Sequence, residues 1–303
     1  MDYEARASFV LFVAIVSAGV AVLCTILNIV VILKMRNWTL NVKLVYVLCW
    51  SQLLYDITFY GGVEKAGFHH LKGTSPLFAI CTFFQLWMGT SSALITNVMT
   101  TLIYYILNSR KNVDNIFEGE MFHLIWLLFL PGLIMGSFSI APIIRVDDDS
   151  EKTDAMIAYT IFRMVSILYN FIVFLLTVHM VHRLVGGKPK KSRNNYENAL
   201  SLIVDRSKYF WVVQLVCRVA PSVWELKYGY NGYNGHGSDA RFASAIAFAF
   251  FTPSASVGYL LIFLLCQPSA RSSMREILLV DIPYLGEYSL DFLHCLYVLL
   301  LLL

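Results

Sequence analysis

Residues 8–33 read SFVLFVAIVSAGVAVLCTILNIVVIL, twenty-six residues without one charge. A helix needs roughly 20 mostly apolar residues to cross about 30 Å of hydrocarbon. This run meets that requirement with turns to spare. Its acidic lead, MDYE at residues 1–4, lacks the basic start of a cleaved signal peptide. It reads as a first spanning helix that directs its own insertion.

The pattern recurs down the chain. Six further stretches are long and apolar enough, at about 44–63, 77–107, 121–144, 155–184, 208–226 and 242–266. The sixth span is the weakest, because Gln214, Arg218 and Pro221 interrupt it. Composition agrees: of 303 residues, 58% are apolar and 14% charged, against about 45–50% and about 25% in a soluble domain. Mean hydropathy is +0.64. That surplus cannot be hidden inside a water-soluble particle of this size, which demotes soluble enzymes. A net charge of +3 is too small to argue for nucleic acid as a partner. The expected fold is an all-α membrane protein, a seven-transmembrane helix bundle whose first partner is the lipid bilayer.

Orientation follows from Lys and Arg in the connections. With the N-terminus outside, the inner segments hold fourteen and the outer segments seven, with Arg163 and Arg218 inside the bilayer. The bundle is therefore expected N-out and C-in. Its parts are a short extracellular N-terminus (1–7), the helices (8–266) and a cytoplasmic tail (267–303). Pro268 ends or redirects the last span, and Met274, Ile277 and Leu278 then share one face of a candidate interfacial helix at about 269–279. The apolar end, 292–303, extends about 18 Å as a helix, too short to span.

Several chemistries are excluded. A retinal protein needs a Schiff-base lysine in a late helix, and no lysine follows Lys227. A zinc hydrolase needs three protein ligands, whereas His179 and His182 have no obvious third. No phosphate loop, nucleophile elbow or paired-acid constellation is present. No enzyme activity, cofactor or metal is expected. Cys24, Cys49, Cys217 and Cys266 fall within spans, and no outer loop holds a partner for Cys81, so no disulfide is expected.

Polar residues within the spans are costly unless partnered. Asp56 lies in the outer half of the second span. At about 1.5 Å per residue, Arg163 lies about 12 Å below the outer end of the fifth span and Arg218 about 15 Å above the inner end of the sixth. With Asn97 they form a candidate buried polar switch, either an activation lock or a structural ion pair. Tyr60, Gln85, Trp87, Tyr159, Arg163, Trp224 and Glu225 sit near that depth and are the candidate ligand contacts, although aromatic rings there also serve as interfacial anchors. Asn28, Asn97 and Asn170 can bond between helices, and Gly132-xxx-Gly136 allows close backbone approach. Pro221 and Pro253 each remove a backbone donor and kink a helix.

Seven spans, short loops and a basic third inner connection resemble a G-protein-coupled receptor. Residues 81–97, CTFFQLWMGTSSALITN, resemble helix three of the slime-mould cyclic-AMP receptor and secretin-like group. The resemblance covers about 8–279. The acidic-Arg-aromatic triplet of the rhodopsin type is absent from 104–110, YYILNSR, and Thr252-Pro253-Ser254 stands where that class has Asn-Pro. The resembled group would pair Cys81 with a cysteine of the second outer loop, which this chain lacks.

The resemblance implies a plasma-membrane receptor that binds an extracellular ligand and signals through a heterotrimeric G protein. Arg110, Lys111, Arg206 and Lys208, at the inner ends of the third and sixth spans, are the candidate G-protein-facing residues. A small-solute transporter or channel is the competing class, and a non-signalling membrane scaffold the third.

Overall fold

The computed structural model describes residues 3–35, 40–67, 76–109, 121–144, 149–185, 213, 215–219, 221–223, 227, 238–266 and 268–278. The regular structure among them is helical. In chain order the elements are α1 (Tyr3–Lys34), α2 (Leu40–Gly67), α3 (Pro76–Ser109), α4 (Met121–Ile144), α5 (Asp149–Val185), a π-helical segment π1 (Leu215–Val219), α6 (Asp239–Cys266) and α7 (Pro268–Leu278).

Four helical stretches among the described residues are long and apolar enough to cross a membrane: Glu4–Lys34, Val42–Phe59, Ile157–Arg183 and Asp239–Leu264. A shorter apolar stretch, Trp126–Ser137, lies in α4. Helix α3 is 34 residues long, about 51 Å, but mixes its apolar residues with Thr90, Ser91, Ser92, Thr96 and Asn97. Its polarity follows from its position. It packs against α2, α4 and α5, so much of its surface meets protein.

The contacts close into a ring. Helix α1 packs along α2 and α6, α2 along α3, and α3 along α5; π1 then bridges α5 to α6. Two glycines of α4 set its approach to α3. A Cβ on Gly132 would stand 2.4 Å from the carbonyl oxygen of Trp87, and one on Gly136 2.9 Å from that of Phe83. The two backbones therefore touch, as small residues spaced four apart permit.

Burial is inverted relative to a soluble protein. Phe12, Leu23 and Leu127 are 62%, 68% and 67% exposed, while Asp56, Gln52, Arg163 and Arg218 are buried. Lipid solvates the first kind and cannot solvate the second, so polar groups collect inside. Some buried hydroxyls pair within their own helices: Thr25 donates to Ala21, Thr96 to Ser92 and Thr177 to Val173, all to carbonyls one turn back. The main apolar core joins α1, α2, α3 and α6 through Ile32, Leu44, Leu48, Ile95, Ile262 and Phe263. A second, smaller cluster of Val10, Ala14, Ala245 and Ala249 joins the start of α1 to the start of α6. There Arg6 pairs with Asp239 at 2.8 Å and lies over the Phe242 ring.

Helix α7 spends its apolar face on the bundle. It packs on α1 and α6, with Ala270 and Met274 buried in the main core and Ile277 partly buried against it. The face that the sequence assigns to lipid is thus largely covered by protein, leaving Ser269, Ser272 and Glu276 exposed.

Candidate functional site

A band of polar side chains crosses the bundle beside the main core, and α2 supplies its centre. Gln52 and Asp56 are one helical turn apart, so they share a face. Gln52 Nε2 donates to Asp56 Oδ1 at 3.0 Å. The other carboxylate oxygen, Oδ2, accepts from Ser256 Oγ of α6. Asp56 is 0% exposed, and both oxygens are engaged by neutral donors.

Gln52 also faces π1. Its Oε1 accepts from Arg218 Nη2 at 2.8 Å and from Ser92 Oγ of α3 at 3.4 Å. Asp56 and Arg218, both members of the candidate polar switch, are therefore not in direct contact: the amide stands between them, donating to the anion and accepting from the cation. An amide suits this geometry, because it carries a donor and an acceptor on one rigid plane and has no charge of its own. The Arg218 guanidinium lies over the Tyr55 ring, 5.1 Å from its centroid, and beside the Tyr259 hydroxyl, which also meets Thr96.

The second cation joins through a serine. Arg163 Nε donates to Ser222 Oγ at 2.8 Å, and Ser222 Oγ donates to the backbone carbonyl of Arg218 at 2.7 Å. The Arg163 guanidinium lies 5.1 Å from the centroid of the Tyr159 ring. Tyr159 packs so closely on α3 that a Cβ on Gly89 would stand 2.1 Å from its hydroxyl oxygen. One connected network therefore holds α2, α3, α5, α6 and the segment around π1. Pro221 follows π1 by two residues, placing a backbone break beside the Arg218 anchor.

The remaining candidates divide. Gln85 Nε2 donates to the carbonyl of Thr58 at 3.1 Å and ties α3 to α2. Trp87 turns away from the network: its Nε1 donates to the Phe129 carbonyl of α4 at 3.0 Å, and its ring stacks on Phe84. Asn97 Oδ1 accepts from Ser166 Oγ at 2.8 Å, an α3–α5 link next to the network. Asn28 Nδ2 donates to Cys49 Sγ at 3.2 Å, linking α1 and α2. Tyr60 belongs to α2, but its side chain lies outside the described residues, as do Arg110, Lys111, Arg206, Lys208, Trp224 and Glu225. Cys24, Cys49 and Cys217 are free thiols.

The partners that escaped the sequence reading include Gln52, Ser92, Ser222 and Ser256. The signal for two of them was helical spacing, since Gln52 precedes Asp56 by four residues and Ser222 follows Arg218 by four. Ser92 and Ser256 carried none, because serines abound in these helices and only packing selects these two. In comparisons with known proteins, no protein-family model matches the chain, and no curated protein matches it.

Proposed function

We propose that this chain is a seven-span receptor of the plasma membrane, N-out and C-in, which binds an extracellular ligand and engages a heterotrimeric G protein. The observation that carries this reading is the bond from Arg218 to Gln52, made from a π-helical segment just before Pro221. A shift of the sixth span about that break strains three attachments together: to Gln52 of α2, to Tyr259 of α6 and, through Ser222, to Arg163 of α5. A ligand reaching this band has different contacts in the two arrangements, which is the physical requirement for switching. Arg206 and Lys208 at the inner foot of the same span would then present a changed surface to the G protein.

A small-solute transporter or channel would use the same polar band as part of a path. Two assays on the full chain separate the readings. Ligand-dependent recruitment of a G protein, across a broad ligand panel in membranes, is the expected result. Solute flux into liposomes without recruitment would favour the transporter.

A further inference from the structure

Val213 seats on α6 where that helix has no side chain. A Cβ on Gly258 would stand 2.7 and 2.8 Å from the two methyl carbons of Val213, and Val213 belongs to the main apolar core. Five residues later, Arg218 meets Tyr259, the neighbour of Gly258, and bonds Gln52 of α2 at 2.8 Å. Positions five apart on an α-helix point about 140° away from each other. Here both turn inward, while Leu215 and Val216 between them are 38% and 43% exposed. The π-helical turn Leu215–Val219 lies between the two contacts. Its bonds close on the fifth residue instead of the fourth, which brings the two anchors toward one side.

The α-helical ladder is weakened at this turn. Pro221 has no N–H to give the Cys217 carbonyl, its partner four residues back in an α-helix. The Ser222 hydroxyl donates to the next carbonyl, that of Arg218, at 2.7 Å. The wide turn therefore leans on its two anchors, Val213 in the notch and Arg218 on the amide. We propose that π1 is a register switch: when Arg218 leaves Gln52, the turn closes to α-helix while Val213 stays in the Gly258 notch. Closing takes up one residue, so Ser222 and the chain just beyond it turn by about 100° and shift by about 1.5 Å. Ser222 then leaves Arg163, and the attachments to α2 and α5 are lost together. The switch is a property of the backbone and holds whatever the polar band binds, so it goes beyond the receptor reading.

The test is a single-residue deletion in the full chain, purified into phosphatidylcholine nanodiscs and followed by thermal melting. Deleting Val216 removes the extra residue of the turn and should give a folded chain with a cooperative melt. Deleting Val165, a lipid-facing residue of regular α5, rotates Arg163 against Ser166 and its bond to Asn97, and should abolish folding. Arg218→Gln should lower the melting temperature of the parent by about 5 °C. It should leave that of the Val216 deletion unchanged, because Arg218 has already left Gln52 there. Pro221→Ala restores the donor to Cys217 and favours the closed turn, so it should shrink the Arg218→Gln effect without any deletion. A disulfide built by Val213→Cys and Gly258→Cys, whose Cβ positions lie 3.3 Å apart, should form in the parent and in the Val216 deletion alike. Unfolding of the Val216 deletion, or equal tolerance of the two deletions, overturns the switch. So does an undiminished Arg218→Gln effect in the Val216 deletion or in Pro221→Ala. Loss of the disulfide in the Val216 deletion overturns it as well, because the notch is the fixed point. None of these readouts involves a G protein, so failure of the switch and failure of the receptor reading are told apart.

Discussion

Gln52 turns two buried charges into a relay. Direct Asp56–Arg218 contact would bring the two segments to one distance and one angle, whereas the amide lets α2 hold the carboxylate and π1 hold the guanidinium separately. Replacing Asp56 with Asn removes the anion nearest Arg218 and leaves a cation less compensated, a loss on the order of 3–5 kcal/mol for a broken buried pair. Since the contact here runs through Gln52, the lower end of that range is expected. Because both residues bond the same amide, Asp56→Asn and Arg218→Gln should be non-additive by about 0.5–3 kcal/mol in a double-mutant cycle followed by melting. Strict additivity would mean that the two charges do not communicate. Full expression and unchanged melting of Asp56→Asn alone would remove the switch.

At the scale of elements, helix spacing depends on single glycines. A methyl group on Gly132 would meet a backbone carbonyl at 2.4 Å, and a backbone cannot rotate out of the way as a side chain can. On Gly19 of α1 the same methyl group would meet nothing within 4 Å. Gly132→Ala should therefore lower the melting temperature by forcing α4 off α3. Gly19→Ala should leave it unchanged or raise it slightly, since alanine is favoured over glycine in a helix interior by about 1 kcal/mol. Equal effects at the two sites would show that the α3–α4 contact yields easily. The same contact explains Trp87, whose indole follows the close-packed face onto the Phe129 carbonyl.

At the scale of the whole molecule, the orientation makes two checkable claims on residues outside those described. Asn37-Trp38-Thr39 is a glycosylation sequon that an N-out chain places on the first inner loop, so it should carry no glycan in cells. A glycan on Asn37, read by an enzyme-sensitive gel shift, would reverse the orientation and the receptor proposal with it. The proposed topology would put Arg206 and Lys208 at the inner foot of a sixth span, among enough other basic residues to keep the orientation. Their neutralisation should reduce G-protein recruitment while insertion and ligand binding persist. Undiminished recruitment would reduce these charges to topology signals worth about 1 kcal/mol each toward anionic lipid.

The linear chain determined its solvent, because the apolar run at 8–33 and the later stretches like it have no stable place in water. It also marked Asp56, Arg163 and Arg218 as residues needing partners, since an intramembrane charge is costly wherever the helix goes. It could not choose the partners. Spacing along one helix places Gln52 one turn before Asp56 and Ser222 one turn after Arg218, but which serine of α6 meets the carboxylate depends on the rotation of α6 about its own axis. Packing against α1 and the core sets that rotation. The same holds for α7, whose Met274 and Ile277 form an apolar stripe at the sequence level; only the folded bundle assigns that stripe to α1 and α6, because lipid and a neighbouring helix are equally acceptable to a methyl group until shape decides.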